Sequence, residues 1–198
     1  PVWHDDQQGT ATVILAAVLN ALTLAGKTLP QARIALIGMG AANVAAYHLL
    51  KAAGASPGAM VACDAGGILH RGRRDWEAQA ELAQAQAWLA PQWGICQESN
   101  AEGRTGGIPE ALAGADVALA FSRPGPGVIQ PEWIAGMAQH AIVIAGANPV
   151  PEIAPDVAHA AGAWIVGTGR SDFPNQVNNA LAFPGIFRGV LDVQARTI

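Results

Sequence analysis

Lysine, tyrosine and cysteine are all scarce in this 198-residue chain: it has Lys27 and Lys51, Tyr47, and Cys63 and Cys96, and no others. Two cysteines in a domain of this size do not make a disulfide framework, and neither has metal-ligand spacing with the other or with a histidine. The expected setting is therefore a reducing cytoplasm. Charge is sparse as well, with 13% of residues ionised, a net charge of −4 and arginines scattered along the chain. No basic face is available for a phosphate backbone, which excludes nucleic acid as a partner. The apolar run from Ala11 to Ala25 is shorter than a bilayer requires and carries Thr12, Asn20 and Thr23. It reads as a buried helix, and no membrane or targeting segment is expected. Neither lysine nor the tyrosine falls in a strand-end loop, and only His4 of the five histidines lies in a polar cluster. A general base and acid are thus expected outside these residues.

What the chain has in quantity is hydrophobic residues, 51% of the total, enough to fill a large core. Short apolar or β-branched runs alternate with Ala-rich stretches, the pattern of a doubly wound α/β fold with a mainly parallel sheet covered on both faces. The expected strands are Arg33 to Ile37, Met60 to Cys63, Val117 to Phe121, Ala141 to Ala145 and Trp164 to Val166. Helices are expected over Ala11 to Ala25, Ala41 to Ala53, Trp76 to Leu89, Pro131 to Gln139, Pro155 to Ala161 and Leu181 to Val190. Pro131 and Pro155 suit a first helical turn, where the missing N–H costs nothing. The chain divides into an acidic tract with a leading helix (1–30), the α/β core (31–170), and an Asn-rich loop with a closing helix (171–198).

The strand Ile34 to Ile37 runs into Gly38-Met39-Gly40-Ala41-Ala42-Asn43 and then a helix, the context of a Rossmann-like dinucleotide turn. Gly38 would permit the tight turn, Gly40 would let the backbone approach a pyrophosphate, and the helix N-terminus would favour its charge. Asn43 stands where a small residue normally lets helix and strand pack closely, which puts cofactor affinity in question; an ordinary strand-to-helix turn is the competing reading. Asp64 closes the second strand, near the spacing of roughly 20 residues for a carboxylate that holds a ribose. An acid there favours NAD by repelling the 2′-phosphate of NADP, yet Arg71, Arg73 and Arg74 follow, any of which suits that phosphate. Both cofactors stay open.

Three polar loops follow later strands, where open parallel sheets bind ligands: Ser122 to Gly127, Gly146 to Glu152 and Gly167 to Asp172. Ser122 and Asn148 are the candidate cofactor contacts, Asn148 offering an amide to a ribose or a carboxylate, although Asn-Pro also starts ordinary turns. Asn175, Gln176, Asn178 and Asn179 crowd into five positions, more amides than helix capping needs. At the other end, Asp5 and Asp6 precede a helix, an arrangement for a cation or polar substrate, or simply a solvated helix cap.

The tract His4-Asp5-Asp6-Gln7-Gln8-Gly9-Thr10-Ala11, the Gly38/Gly40 turn, Ala147-Asn148-Pro149-Val150-Pro151-Glu152, Thr168 to Asn179, and Phe183-Pro184-Gly185-Ile186-Phe187-Arg188-Gly189 together resemble the prokaryotic malic enzymes. The resemblance implies oxidative decarboxylation of (S)-malate to pyruvate and CO2 with NAD or NADP and a Mg2+ or Mn2+ ion, in a homodimer. It implies that Asp6 is a metal ligand and Asp5 a neighbouring catalytic acid that tunes a lysine and supports the metal. In an extended segment such neighbours point opposite ways, which suits two roles. Asn148 and Asn179 match amides that contact the nicotinamide end and the malate carboxylate, with Asn178 beside them. The family's catalytic Tyr and Lys and a Glu-Asp pair of metal ligands belong to an N-terminal region that these residues lack, so the expectation is a cofactor-binding domain that turns over little malate alone. The competing readings are the cofactor half of another NAD(P)-dependent dehydrogenase and a non-catalytic nucleotide-binding regulatory module.

Overall fold

The computed structural model describes residues 2–83 and 90–198. Six strands form one sheet: β1 (Ile34–Ile37), β2 (Met60–Asp64), β3 (Gly67–Ile68), β4 (Val117–Ala120), β5 (Ile142–Ala145) and β6 (Ile165–Thr168). Their order is β3-β2-β1-β4-β5-β6, parallel throughout except for the short β3. Residues in β1, β4 and β5 are buried at every position, as expected of parallel strands covered on both faces. Alternate side chains feed two separate cores. Ile34, Leu36, Met60, Ala62, Val117, Leu119, Ile142 and Ile144 pack with helices α1 (Thr10–Leu24) and α2 (Ala41–Ala52). Ala35, Ile37, Val61, Ala118, Val143 and Val166 face the other way, toward α5 (Ile108–Leu112), α6 (Pro131–Ala135) and α7 (Pro155–Ala160).

The register sets Ile37, Cys63, Ala120, Ala145 and Thr168 in one row. The carboxyl ends of the parallel strands are therefore flush, and the loops that leave them share one rim. The strand order reverses between β1 and β4, the point at which open α/β sheets form a ligand crevice.

The remaining elements are α3 (Arg74–Ala83), α4 (Pro91–Glu98) and α8 (Phe183–Asp192). The part of the expected helix Trp76 to Leu89 beyond Ala83 lies outside the described residues. β3, α4 and α5 had no sequence expectation. α6 stops at Ala135 instead of Gln139, where Gly136 takes the C-cap and Met137 N–H tightens onto Ile134 O, consistent with the low helix propensity of glycine. The closing helix begins at Phe183, after a 3-10 turn over Asn179–Leu181.

The acidic tract also corrects an expectation. Asp5–Gly9 is not extended; it forms a π-helical turn that runs without a break into α1, with Gly9 in helical conformation. His4 alone is extended, and its carbonyl accepts from the N–H groups of Gln7 and Gln8. The two acids therefore sit around a helical first turn, with Asp5 half-buried and Asp6 exposed. The continuous helix Asp5–Leu24 is, by length and composition, long and apolar enough to cross a membrane, but Ala11, Ile14, Val18, Ala21 and Leu22 are buried in the core.

Candidate functional site

Gly38 leaves β1 at φ +87°, and a Cβ on it would lie 2.7 Å from Phe121 O and 2.9 Å from Ser122 Cα. The exits of β1 and β4 thus touch, and only glycine fits between them. Gly40 is different: a Cβ there would meet nothing within 4 Å. Its bare backbone faces open space at the N-terminus of α2, the side from which a pyrophosphate would approach. Ala41 is exposed and Ala42 half-buried beside it. Met39 turns its side chain into the core, 7% exposed, and its carbonyl accepts from Gln92 Nε2 at 3.0 Å, so it has only its backbone to offer a cofactor.

Asn43, whose place in the turn put cofactor affinity in question, is built into the fold. Its side chain is fully buried behind the loop, and Nδ2 donates to Ile37 O at 3.0 Å, Gly38 O at 2.8 Å and Leu119 O at 3.1 Å. The residue fastens the ends of β1 and β4 to the start of α2, and its amide is turned away from any ligand. Its Oδ1 is buried without a partner.

Asp64 stands beside the turn, since Gly38 N–H donates to Cys63 O at 2.8 Å. Its carboxylate is already engaged: Oδ1 accepts from Gly66 N at 2.8 Å and Arg73 Nη1 at 2.9 Å, and Oδ2 from Arg73 Nη2 at 2.9 Å and Trp76 Nε1 at 2.7 Å. Arg74 pairs with Glu77, and Arg71 Nε donates to Gln97 O at 3.1 Å.

On the β4 and β5 side, Glu152 is fully buried and ties two loops together. Its Oε1 accepts from Ser122 N at 2.7 Å and Ser122 Oγ at 3.0 Å, and its Oε2 from Ala147 N at 3.1 Å. Burial pushes this carboxyl above the usual range, opposed by the same N–H groups. Sequence reading passed over Glu152; the signal was an acid placed between Pro151 and the apolar Ile153.

A cavity of about 190 Å³ at the rim is lined by Asp6, Thr10, Ala41, Ala42, Phe121, Gly146, Asn148, Val177, Asn178 and Asn179. Asn179 Nδ2 donates to Asp5 Oδ2 at 2.7 Å and reaches Asp6 Oδ1 at 3.4 Å. Asp5 Oδ1 is buried and has no partner. Asn148 is exposed and makes no side-chain hydrogen bond among the described residues. Asn178, expected beside the substrate contact, lines the same cavity and also shapes the loop: Nδ2 donates to Gly169 O at 3.0 Å and Oδ1 accepts from Ala180 N at 2.9 Å. Among the described residues no three His, Cys, Asp or Glu side chains form a metal-binding group. The orphaned Asp5 oxygen lies against Gly9, where a Cβ would come within 2.2 Å of it, and of the two acids only Asp6 lines the cavity, so these carboxylates fit a part of a cation site and not the whole.

No family model matches the chain. Curated proteins do. The NADP-dependent malic enzyme of Halomonas elongata is 46% identical over the whole chain, which spans 43% of that protein. The NAD-dependent malic enzyme of Rhizobium meliloti is 45% identical over the whole chain, which spans 24% of it. Among solved structures, the Entamoeba histolytica malic enzyme superposes with a TM-score of 0.92 at 48% identity, covering 99% of this chain and 39% of its own. The chain spans less than half the length of these relatives. From end to end, in sequence and in fold, the chain is similar to one segment of these malic enzymes.

Proposed function

We propose that this chain supplies the dinucleotide site, and part of the substrate and metal site, of an enzyme that oxidises (S)-malate with NAD or NADP and releases pyruvate and CO2. The reading rests on one observation. Asp6, the α2 N-terminus, Asn148 and Asn179 line a single cavity at the reversal of strand order, although the sequence scatters them. In this reading 1–30 carry the acidic tract, 31–170 the nucleotide core and 171–198 the substrate loop with its closing helix.

The pyrophosphate would lie across Gly38 and Gly40 against the positive end of α2, with the adenine ribose toward Asp64. Ser122 and Asn148 would hold the nicotinamide end, Glu152 fixing both loops from behind. Malate would occupy the cavity beside Asn179, whose amide suits a carboxylate once it is released from Asp5. Asp6 would hold a Mg2+ or Mn2+ ion, with Asp5, bridged to it through the Asn179 amide, behind it. Such an ion supplies Lewis-acid polarisation of the substrate oxygens. Two carboxylates do not complete its ligand set, and no lysine or tyrosine lies in the cavity lining. The remaining ligands and the proton-transferring groups come from the rest of the enzyme in this reading. In support, α8 buries none of its residues and exposes Phe183, Phe187 and Leu191, with Trp3 packed edge-on against Phe187. That apolar face is one a longer polypeptide would cover. A cytoplasmic homodimer completes the proposal, on the family resemblance.

The test is a calorimetric titration of the chain with NAD and with NADP. Saturable one-to-one binding of either supports the reading; absence of heat for both, confirmed by an unmoved melting temperature, overturns it.

A further inference from the structure

The names of relatives divide between NAD and NADP at nearly equal identity, so the choice of cofactor must be sought in the residues. We propose that Asp75 is the specificity-determining residue: it occupies the outward edge of the Arg73 guanidinium, withholds it from a 2′-phosphate and biases the site toward NAD. This inference rests on the reading above that the adenine ribose lies against Asp64.

Arg73 has five N–H donors, and all five are used. Nη1 donates to Asp64 Oδ1 at 2.9 Å and Gly67 O at 3.2 Å, while Nη2 donates to Asp64 Oδ2 at 2.9 Å and Asp75 Oδ2 at 2.6 Å. Nε donates to Asp75 Oδ1 at 2.8 Å. The guanidinium thus lies between two carboxylates of different character. Asp64 is on the inside, its side chain 15% exposed, and Asp75 is on the outside, at 53%; Arg73 itself is 11% exposed. A phosphate approaching from solvent would meet Asp75 first.

Charge points the same way. Asp64, Arg73 and Asp75 together carry one net negative charge, and removing Asp75 brings the cluster to neutrality. Removal also frees two donors, Nε and Nη2, in the side-by-side arrangement that matches a phosphate bidentately. The hydrogen bond to Asp75 is the foremost influence holding Arg73 protonated, ahead of Asp64, and Arg73 in turn draws the Asp75 carboxyl down to about 2. Both groups are therefore ionised wherever the enzyme would work. Arg74 does not take over the role, because it is engaged with Glu77.

Asp64 does not explain a preference alone. Its two oxygens already accept four hydrogen bonds, the usual capacity of a carboxylate, and Arg73 offsets its charge. The acid expected to repel a phosphate is neutralised by an arginine able to attract one, and Asp75 tips the balance.

The experiment is calorimetric titration of the chain and of Asp75→Ala with each nucleotide. The unaltered chain should bind NAD more tightly than NADP, and Asp75→Ala should raise the NADP-to-NAD affinity ratio at least ~10-fold, as expected for a recovered bidentate arginine–phosphate contact. Asp75→Asn, which removes the charge and keeps the shape, should move the ratio in the same direction by less. Adding Arg73→Met to Asp75→Ala should abolish the gain. An unchanged ratio in both Asp75 variants, or a gain that survives loss of Arg73, overturns the inference and leaves the proposed function standing. An unaltered chain that binds neither nucleotide overturns both.

Discussion

Asn179 and Asp5 are separated by 174 positions in the sequence and by 2.7 Å in space, amide nitrogen to carboxylate oxygen. The contact closes one wall of the rim cavity and joins the first helical turn of the chain to the loop before its last helix. An amide in this position holds the acid in place while adding no charge of its own.

Replacing Asn179 with Asp sets two carboxylates against each other at that distance. Like charges so close disfavour each other's ionisation and push the side chains apart. In a complete enzyme, Asn179→Asp should raise the KM for malate at least ~10-fold, the effect of losing one charge-assisted hydrogen bond, with a smaller change in KM for the nucleotide. Steady-state kinetics with each substrate varied checks the split.

Asp6→Asn removes a charged oxygen ligand and leaves the Gly38 turn intact. Turnover of malate dependent on Mg2+ or Mn2+ should fall by about 10²-fold or more, whereas calorimetric affinity for the nucleotide should stay within a factor of ~3. Full activity in this variant would remove Asp6 from the metal role.

Asn43 permits a sharper test, because its amide faces three carbonyl oxygens. Asn43→Ala leaves those carbonyls short of a donor and should cost about 1–3 kcal/mol. Asn43→Asp places a carboxylate among them and should cost more, about 3–5 kcal/mol, unless the group takes up a proton. Urea denaturation at pH 7 should therefore rank the unaltered chain above Asn43→Ala and Asn43→Asp last. The reverse order for the two variants would show that Nδ2 does not donate there.

Glu152→Gln confronts the N–H of Ala147 with a second donor if its oxygen stays on Ser122, and it should destabilise the fold by about 1–3 kcal/mol. The pH dependence carries a sign. Burial raises the Glu152 carboxyl above its ordinary value of 4.5, so the folded state holds this proton more tightly than the unfolded chain does. Its contribution to stability is full below pH 4.5 and is lost as pH rises through the raised value. Denaturation curves across that window should show a decline in the unaltered chain that Glu152→Gln lacks.

Strands β1, β4 and β5 were legible in the sequence because each is buried on both faces and so spells an unbroken apolar run, and the rim loops were legible because they follow those runs directly. Partnerships across the fold were not. That Arg73 lies against Asp64 depends on the tight hairpin from β2 into β3, where Gly67 takes φ +106° beside Gly106 O, and a two-residue strand leaves almost no pattern to read. Asn43 looked like a flaw because its place in the turn suggested a packing problem, whereas its side chain solves that problem through hydrogen bonds. The helical form of Asp5–Gly9 was hidden because polar residues before an apolar run read equally well as an extended lead-in. In each case the residue was visible and its partner was not.

The two margins of the sheet show how pairing with a foreign strand is discouraged. At one margin β3 is only two residues long, and Ile68 N–H is taken by Gly106 O. At the other, the Asn175–Val177 segment lies along β6: Asn175 Nδ2 donates to Val166 O at 3.0 Å, Thr168 N–H is held by Asn175 O, and Thr168 O accepts from Val177 N–H. Neither margin offers a foreign strand a long row of free peptide groups, so edge-to-edge polymerisation, the common hazard of open sheets, is blocked at one end by brevity and at the other by the loop that carries Asn179.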